Sequence, residues 1–135
     1  MSKISRTDAF KYFGTPLRNT YWSRSARSVD GKTVVVALWR DQLKKVGNVL
    51  TYVHSTDVDW FRSQGQNELC ENLIWCRDKC GGIFKVVIVT AKNAGAIPRE
   101  VASSDPEKRY DMLITSLDQL TGAFTSECIW HSHLP

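Results

Sequence analysis

The densest run of chemistry-bearing side chains lies between residues 18 and 28, where Arg18, Arg24 and Arg27 alternate with Tyr21, Trp22, Ser23, Ser25 and Ser28. A guanidinium grips phosphate through paired N–H bonds, a serine hydroxyl donates to phosphate oxygen, and an aromatic ring stacks on a base. Read as a strand, the segment places Tyr21, Ser23, Ser25 and Arg27 on one face and Trp22, Arg24, Ala26 and Ser28 on the other. Arg40, directly after Trp39, repeats the pairing of ring and cation. The expected nucleic-acid contacts are therefore Arg18, Tyr21, Trp22, Ser23, Arg24, Ser25, Arg27 and Arg40. The competing reading is a half-exposed strand whose Trp22 packs inward while its arginines are simply solvated.

Charge distribution points the same way. Residues 1–50 hold 10 Lys/Arg and 3 Asp/Glu, whereas residues 51–135 hold 8 and 11. Basic charge gathered in one third of a chain is a footprint of polyanion binding.

Other constellations are weaker. Trp39, Trp60 and Trp75 are candidates for an exposed aromatic interface, with Trp75 off the main stripe of its helix, and this reading expects a homodimer or a small-molecule partner. His54 with Asp57 and Asp59 supplies acid/base types for a hydrolase, although nothing in their spacing fixes a geometry. Cys76 and Cys80 at i,i+4, with Cys128, His131 and His133, have the donor types for zinc but lack a tight C-x2-C knuckle, so buried free thiols and no metal are expected. No nucleophile elbow, phosphate-binding glycine loop or H-E-x-x-H pair is present, so neither catalysis nor a cofactor is expected.

The elements that must position these residues follow from pattern. The 135-residue length and 42% apolar content suit one domain, 1–135, with a single core. A short helix is expected over Arg6–Phe13, capped by Thr7 or Asp8 and ended by Gly14 and Pro16. A hairpin pairs Tyr21–Ser28 with Thr33–Trp39 around Asp30-Gly31, whose composition suits a type I′ turn. Val34–Leu38 is apolar on both faces and reads as a central strand. Val49–His54 is a further strand, Gln66–Cys80 the main helix, and Ile83–Thr90 a buried strand. Ser103–Pro106 reads as a turn, and Tyr110–Leu117 and Ala123–Trp130 as closing strands. The expected fold is α+β: a strongly twisted, mostly antiparallel sheet of five or six strands, or a partial barrel, with one main helix and one short N-terminal helix. Nothing approaches the ~18 consecutive apolar residues of a membrane span, and the N-terminus lacks an apolar signal core, so a cytoplasmic location is expected.

The run Leu17–Ser23, followed by Asp30–Trp39, resembles a small bacterial domain with an Asn-x-x-Trp-Ser-Trp segment and an apolar strand ending in Leu-Trp or Val-Trp. That domain occurs alone or beside HNH-type nuclease modules in mobile-element and defence proteins. The helix, Gly-rich turn and apolar strand of Leu69–Val89 are also similar, and Arg24 stands where the second Trp would fall. The resemblance implies an accessory recognition domain without catalysis. The leading expectation is a non-catalytic nucleic-acid-binding module with DNA favoured.

Overall fold

A computed structural model describes residues 5–17, 23–54, 64–91 and 101–131. The chain runs α1 (Arg6–Tyr12), β1 (Ser25–Arg27), β2 (Val34–Trp39), a 3-10 turn (Arg40–Gln42), β3 (Leu43–Val46), β4 (Val49–His54), α2 (Gln64–Lys79), β5 (Ile83–Ala91), β6 (Val101–Leu117) and β7 (Phe124–Trp130). The fold is α+β as expected, but the sheet has seven strands, ordered β1-β2-β5-β6-β7-β4-β3. Only β2 and β5 run parallel; the other five pairings are antiparallel.

The stiff β-branched run of β2 explains its central place. Val34, Val36 and Leu38 pack toward α2 with Leu69, Leu73, Cys76, Phe84, Val86 and Met112. Val35, on the opposite face, joins Ala9 and Phe10 of α1 together with Ala26, Val87 and Val89. Each fully buried Val is worth ~1.5–3 kcal/mol relative to exposure, so a strand dry on both faces anchors the sheet. The sheet is open rather than a closed barrel, with β1 and β3 as its edges. It nevertheless curls around α2: Tyr52 of β4 accepts a hydrogen bond from the backbone N of Trp39 in β2 at 3.4 Å, although three strands lie between them.

Several local expectations need correction. The cap of α1 is Ser5, whose Oγ accepts from Asp8 N at 3.1 Å. In the first hairpin no described non-glycine residue has positive φ; only Gly31 does, at +73°. A type I′ turn requires two such residues, so the turn is built differently. Asp30 accepts from Ser28 Oγ at 2.6 Å and Lys32 N at 3.0 Å, while Ser28 Oγ accepts from Thr33 N. β3 was not foreseen, although Gly47-Asn48 between Val46 and Val49 is a two-residue hairpin signal. Lys44 and Lys45 are exposed on this edge strand, where charge discourages edge-to-edge pairing.

Ser103–Pro106 is not a turn but part of the 17-residue β6, with Pro106 opposite Val87. Pairing with β7 starts only at Tyr110, so among the described residues this half of β6 has a neighbour on one side. A proline without an N–H is compatible with such an edge. The register jumps between Phe84/Met112 and Val86/Glu107, and the extra residues are tied down by Arg109, which grips Glu107 through two 2.8 Å side-chain bonds.

The hairpin is clamped to α2 through one ring. The Trp75 indole N–H donates to Gly31 O at 2.7 Å, and the Arg27 guanidinium lies 4.2 Å from the ring centroid. A Cβ at Gly31 would come within 3.0 Å of the indole, so the position needs glycine for both space and φ. Trp75 is thus half-buried inside the domain instead of forming an exposed interface. Replacing Trp75 by Ala removes the ring, its hydrogen bond and the seat of Arg27; urea unfolding followed by far-UV circular dichroism should show a loss of roughly 2–4 kcal/mol.

Candidate anion-binding site

Where β2 and β4 end and α2 begins, a small cavity of about 20 Å³ is lined by Arg24, Leu38, Trp39, Tyr52, His54 and Phe124. Such a volume holds one water-sized group. Helix α2 runs back antiparallel to β5, which sets its N-terminal end at the carboxyl ends of the parallel pair. That end of a parallel sheet is where α/β folds commonly seat ligands.

His54, the last residue of β4, is fixed by a buried amide. Gln66 Nε2 donates to Thr121 O at 2.8 Å, which turns Gln66 Oε1 toward His54 Nε2 at 3.0 Å. An amide oxygen only accepts, so His54 carries its proton on Nε2 and keeps the Nδ1 lone pair. Gly122 makes this arrangement possible. Its φ is +82°, and a Cβ there would lie 2.5 Å from Gln66 Nε2. The ring of His54 also packs 5.6 Å from that of Phe124.

The electrostatics of this corner are cationic. Burial lowers the Arg24 guanidinium to about 10, partly opposed by Tyr52, while the charge of Arg6 from α1 lowers it further. Arg24 is still charged at neutral pH. Burial likewise holds His54 below its ordinary 6.5, with Arg24 adding to the effect and the Gln66 hydrogen bond opposing it. Arg6 is also lowered by burial. The charge of Arg6 thus disfavours that of Arg24, and the charge of Arg24 disfavours that of His54.

Among the described lining residues the only hydroxyl is that of Tyr52, which donates to Gln42 Oε1 at 3.0 Å. Among the described residues His54 is oriented by the Gln66 amide; Asp57 and Asp59, its expected partners, lie outside the described residues. All four cysteines are free thiols. Burial pushes Cys76 up to about 12 and Cys128 to about 11, away from the thiolate form that reacts or binds metal. Among the described residues no three His, Cys, Asp or Glu side chains converge to hold a metal ion.

The residues expected to form a basic strand surface are dispersed. Ser23 and Ser25 are fully buried. Ser25 Oγ accepts from Asn72 Nδ2 at 2.8 Å, and Asn72 Oδ1 accepts from Arg27 Nε and Nη2 at 3.3 Å. The cause is α2, which lies over this end of the sheet and takes these side chains into its own hydrogen bonding. Beside them an open polar depression of about 250 Å³ includes Glu68 and Ser28, with Arg27 and Asn72 bonded to each other in its wall. Arg40 is exposed, and its Nε donates to Thr90 Oγ1 at 3.1 Å. Trp39 is half-buried and lines the small cavity. Arg18, Tyr21, Trp22 and Trp60 lie outside the described residues.

No family model, curated protein or solved structure matches this chain.

Sequence reasoning missed Arg6, Tyr52, Gln66 and Gly122. Gln66 carried one usable signal, a long polar side chain beside Gly65 at the start of an apolar helix. The others gain meaning only from how the sheet curls.

The lowered pKa of His54 sets a sign for stability. Between its folded value and 6.5 the unfolded chain binds more protons, so stability falls as pH drops through this window. Comparing unfolding free energies at pH 7.5 and 6 for wild type and His54→Asn isolates the contribution, and the variant should show the smaller drop.

Proposed function

We propose that the domain binds nucleic acid without catalysing its cleavage, seating a backbone phosphate at the mouth of the Arg24–His54 cavity. One observation carries the reading: Arg24 and His54 line the same small cavity, and Arg6 stands close enough for its charge to act on Arg24. A cavity with room for one water-sized group takes a single phosphate oxygen, leaving the rest of the polymer outside.

The mouth also has an exposed basic margin. Trp39 lines the cavity and Gln42 bonds Tyr52, so the chain from Arg40 to Lys45 passes beside it. Arg40 and Lys45 are exposed there. Lys45 alternates with Lys44 and so shares the α2 side of β3 with Leu43, which packs on the α2 core. This contact set keeps Arg24 and Arg40 from the sequence-based expectation and replaces Ser23, Ser25 and Arg27 by Arg6, His54 and Lys45. DNA is the favoured polymer, on the resemblance of Leu17–Ser23 and Asp30–Trp39 to accessory domains that accompany nuclease modules.

Fluorescence anisotropy with labelled single-stranded and duplex DNA across a salt series tests this. Engagement of two or three phosphates should give a slope of log affinity against log salt of roughly −2 to −3 on duplex. Arg40→Ala and Lys45→Ala should each reduce that slope by about 1, uniformly across sequences. Affinity should rise as the pH falls toward 6, because a bound phosphate favours protonated His54. Absence of binding at low salt, or binding indifferent to Arg24→Gln, would refute the proposal.

A further inference from the structure

Among the described residues, the face of the sheet opposite α2 is only half covered. Helix α1 packs there against Val35, Val87 and Val89. Beyond it, on β3, β4 and β7, four β-branched apolar side chains remain in the open, with Val46 64% exposed, Val53 59%, Val49 38% and Ile129 38%; Ile83 of β5, on the same face, is 41% exposed. They share one face. Tyr52 packs on the α2 core, so its neighbours Thr51 and Val53 point the other way, as does Val49. Cross-strand pairing carries the same face outward, with Val46 opposite Val49, Lys44 opposite Thr51, Thr51 opposite Glu127 and Asp111 opposite Ile129. Two residues on from Thr51/Glu127 along the same antiparallel ladder, Val49 comes beside Ile129.

This surface has a regular arrangement about β4. On one side stand Lys44 and Val46 of β3; on the other, at the same heights, stand Glu127 and Ile129 of β7. A half-turn about an axis along β4 carries Lys44 over Glu127 and Val46 over Ile129, and brings Thr51, Val49 and Val53 over their own copies. Lys44 and Glu127 have no ion pair among the described residues, and two strand spacings of roughly 5 Å each separate them within one chain. Asp111, the next charge on this face, is already held by Lys85 Nζ at 3.0 Å and His131 Nε2 at 3.1 Å.

We propose that this face binds a second copy of the chain, sheet against sheet, with Lys44 of each protomer paired to Glu127 of the other around a core of Val46, Val49, Val53 and Ile129. Sheets packed face to face lie about 10 Å apart with strands within ~30° of each other, which an axis along β4 provides. An isologous contact demands self-complementarity, and the opposite charges flanking Thr51 supply it. The Arg24–His54 cavity lies on the α2 side and stays open in such a dimer. The assembly is thus independent of the proposed function and uses none of the tryptophans expected to form an interface.

Sedimentation equilibrium from micromolar to several hundred micromolar decides the matter. Wild type should dimerise, and Lys44→Glu and Glu127→Lys should each weaken association by on the order of tenfold, because each sets like charges against each other twice per dimer. An equimolar mixture of the two variants should regain near-wild-type association: the acid introduced at position 44 meets the lysine introduced at 127, and native Glu127 meets native Lys44. Both positions are exposed, and unchanged thermal melts verify that the variants fold. A wild type that stays monomeric, a dimer indifferent to both substitutions, or variants that fail to recover on mixing would overturn the proposal.

Discussion

Helix α2 turns a mixed face toward the sheet. Leu69, Leu73 and Cys76 are buried, but so are Gln66 and Asn72, and a buried amide must be hydrogen-bonded. Gln66 finds Thr121 and His54; Asn72 finds Ser25 and Arg27; half-buried Trp75 finds Gly31. These bonds tie four separate parts of the chain to one helix. They set where the first hairpin docks, which tautomer His54 adopts, and how closely the turn before β7 approaches. An apolar helix of the same length would bury more hydrophobic surface yet fix none of these positions.

The candidate site is a by-product of that arrangement. With α2 holding His54 from one side and the hairpin drawing Arg24 in from the other, two basic groups end up at one strand end, and α1 brings Arg6 near them. Burial works against charge at each of them. The two sides of the sheet then carry different duties. The α2 side carries the small cavity at its end, while the far half of the α1 side exposes Val46, Val49 and Val53.

Much of the scaffold was legible in the sequence because it rests on local signals. Thr33–Trp39, Val49–His54 and Ile83–Thr90 are runs rich in β-branched residues, and the observed strands match them within a residue. Gly81-Gly82, a local stop signal directly after the expected helix, ends α2, with Gly82 N donating to Cys76 O at 2.9 Å. What escaped detection depends on neighbours. Pro106 sits within a strand because one side of β6 is unpaired there, and only the sheet order reveals that. Ser23 and Ser25 look like surface residues until α2 covers them. Strand alternation sets Arg24 and Arg27 on opposite faces of the basic run 18–28, but their different surroundings, the small cavity for Arg24 and Asn72 with Trp75 for Arg27, follow only from the packing of α2. The resemblance to accessory domains points toward recognition but carries no geometry for this pocket.

Nitrogen-15 correlation spectra recorded while a short single-stranded DNA is titrated into the protein probe the site most directly. The expected result is a contiguous set of shifted signals at Arg24, His54, Gln66 and the Arg40–Lys45 segment, saturating together and receding as salt is raised. Shifts confined to another part of the surface, or spectra unchanged at low salt, would contradict the placement of the anion site.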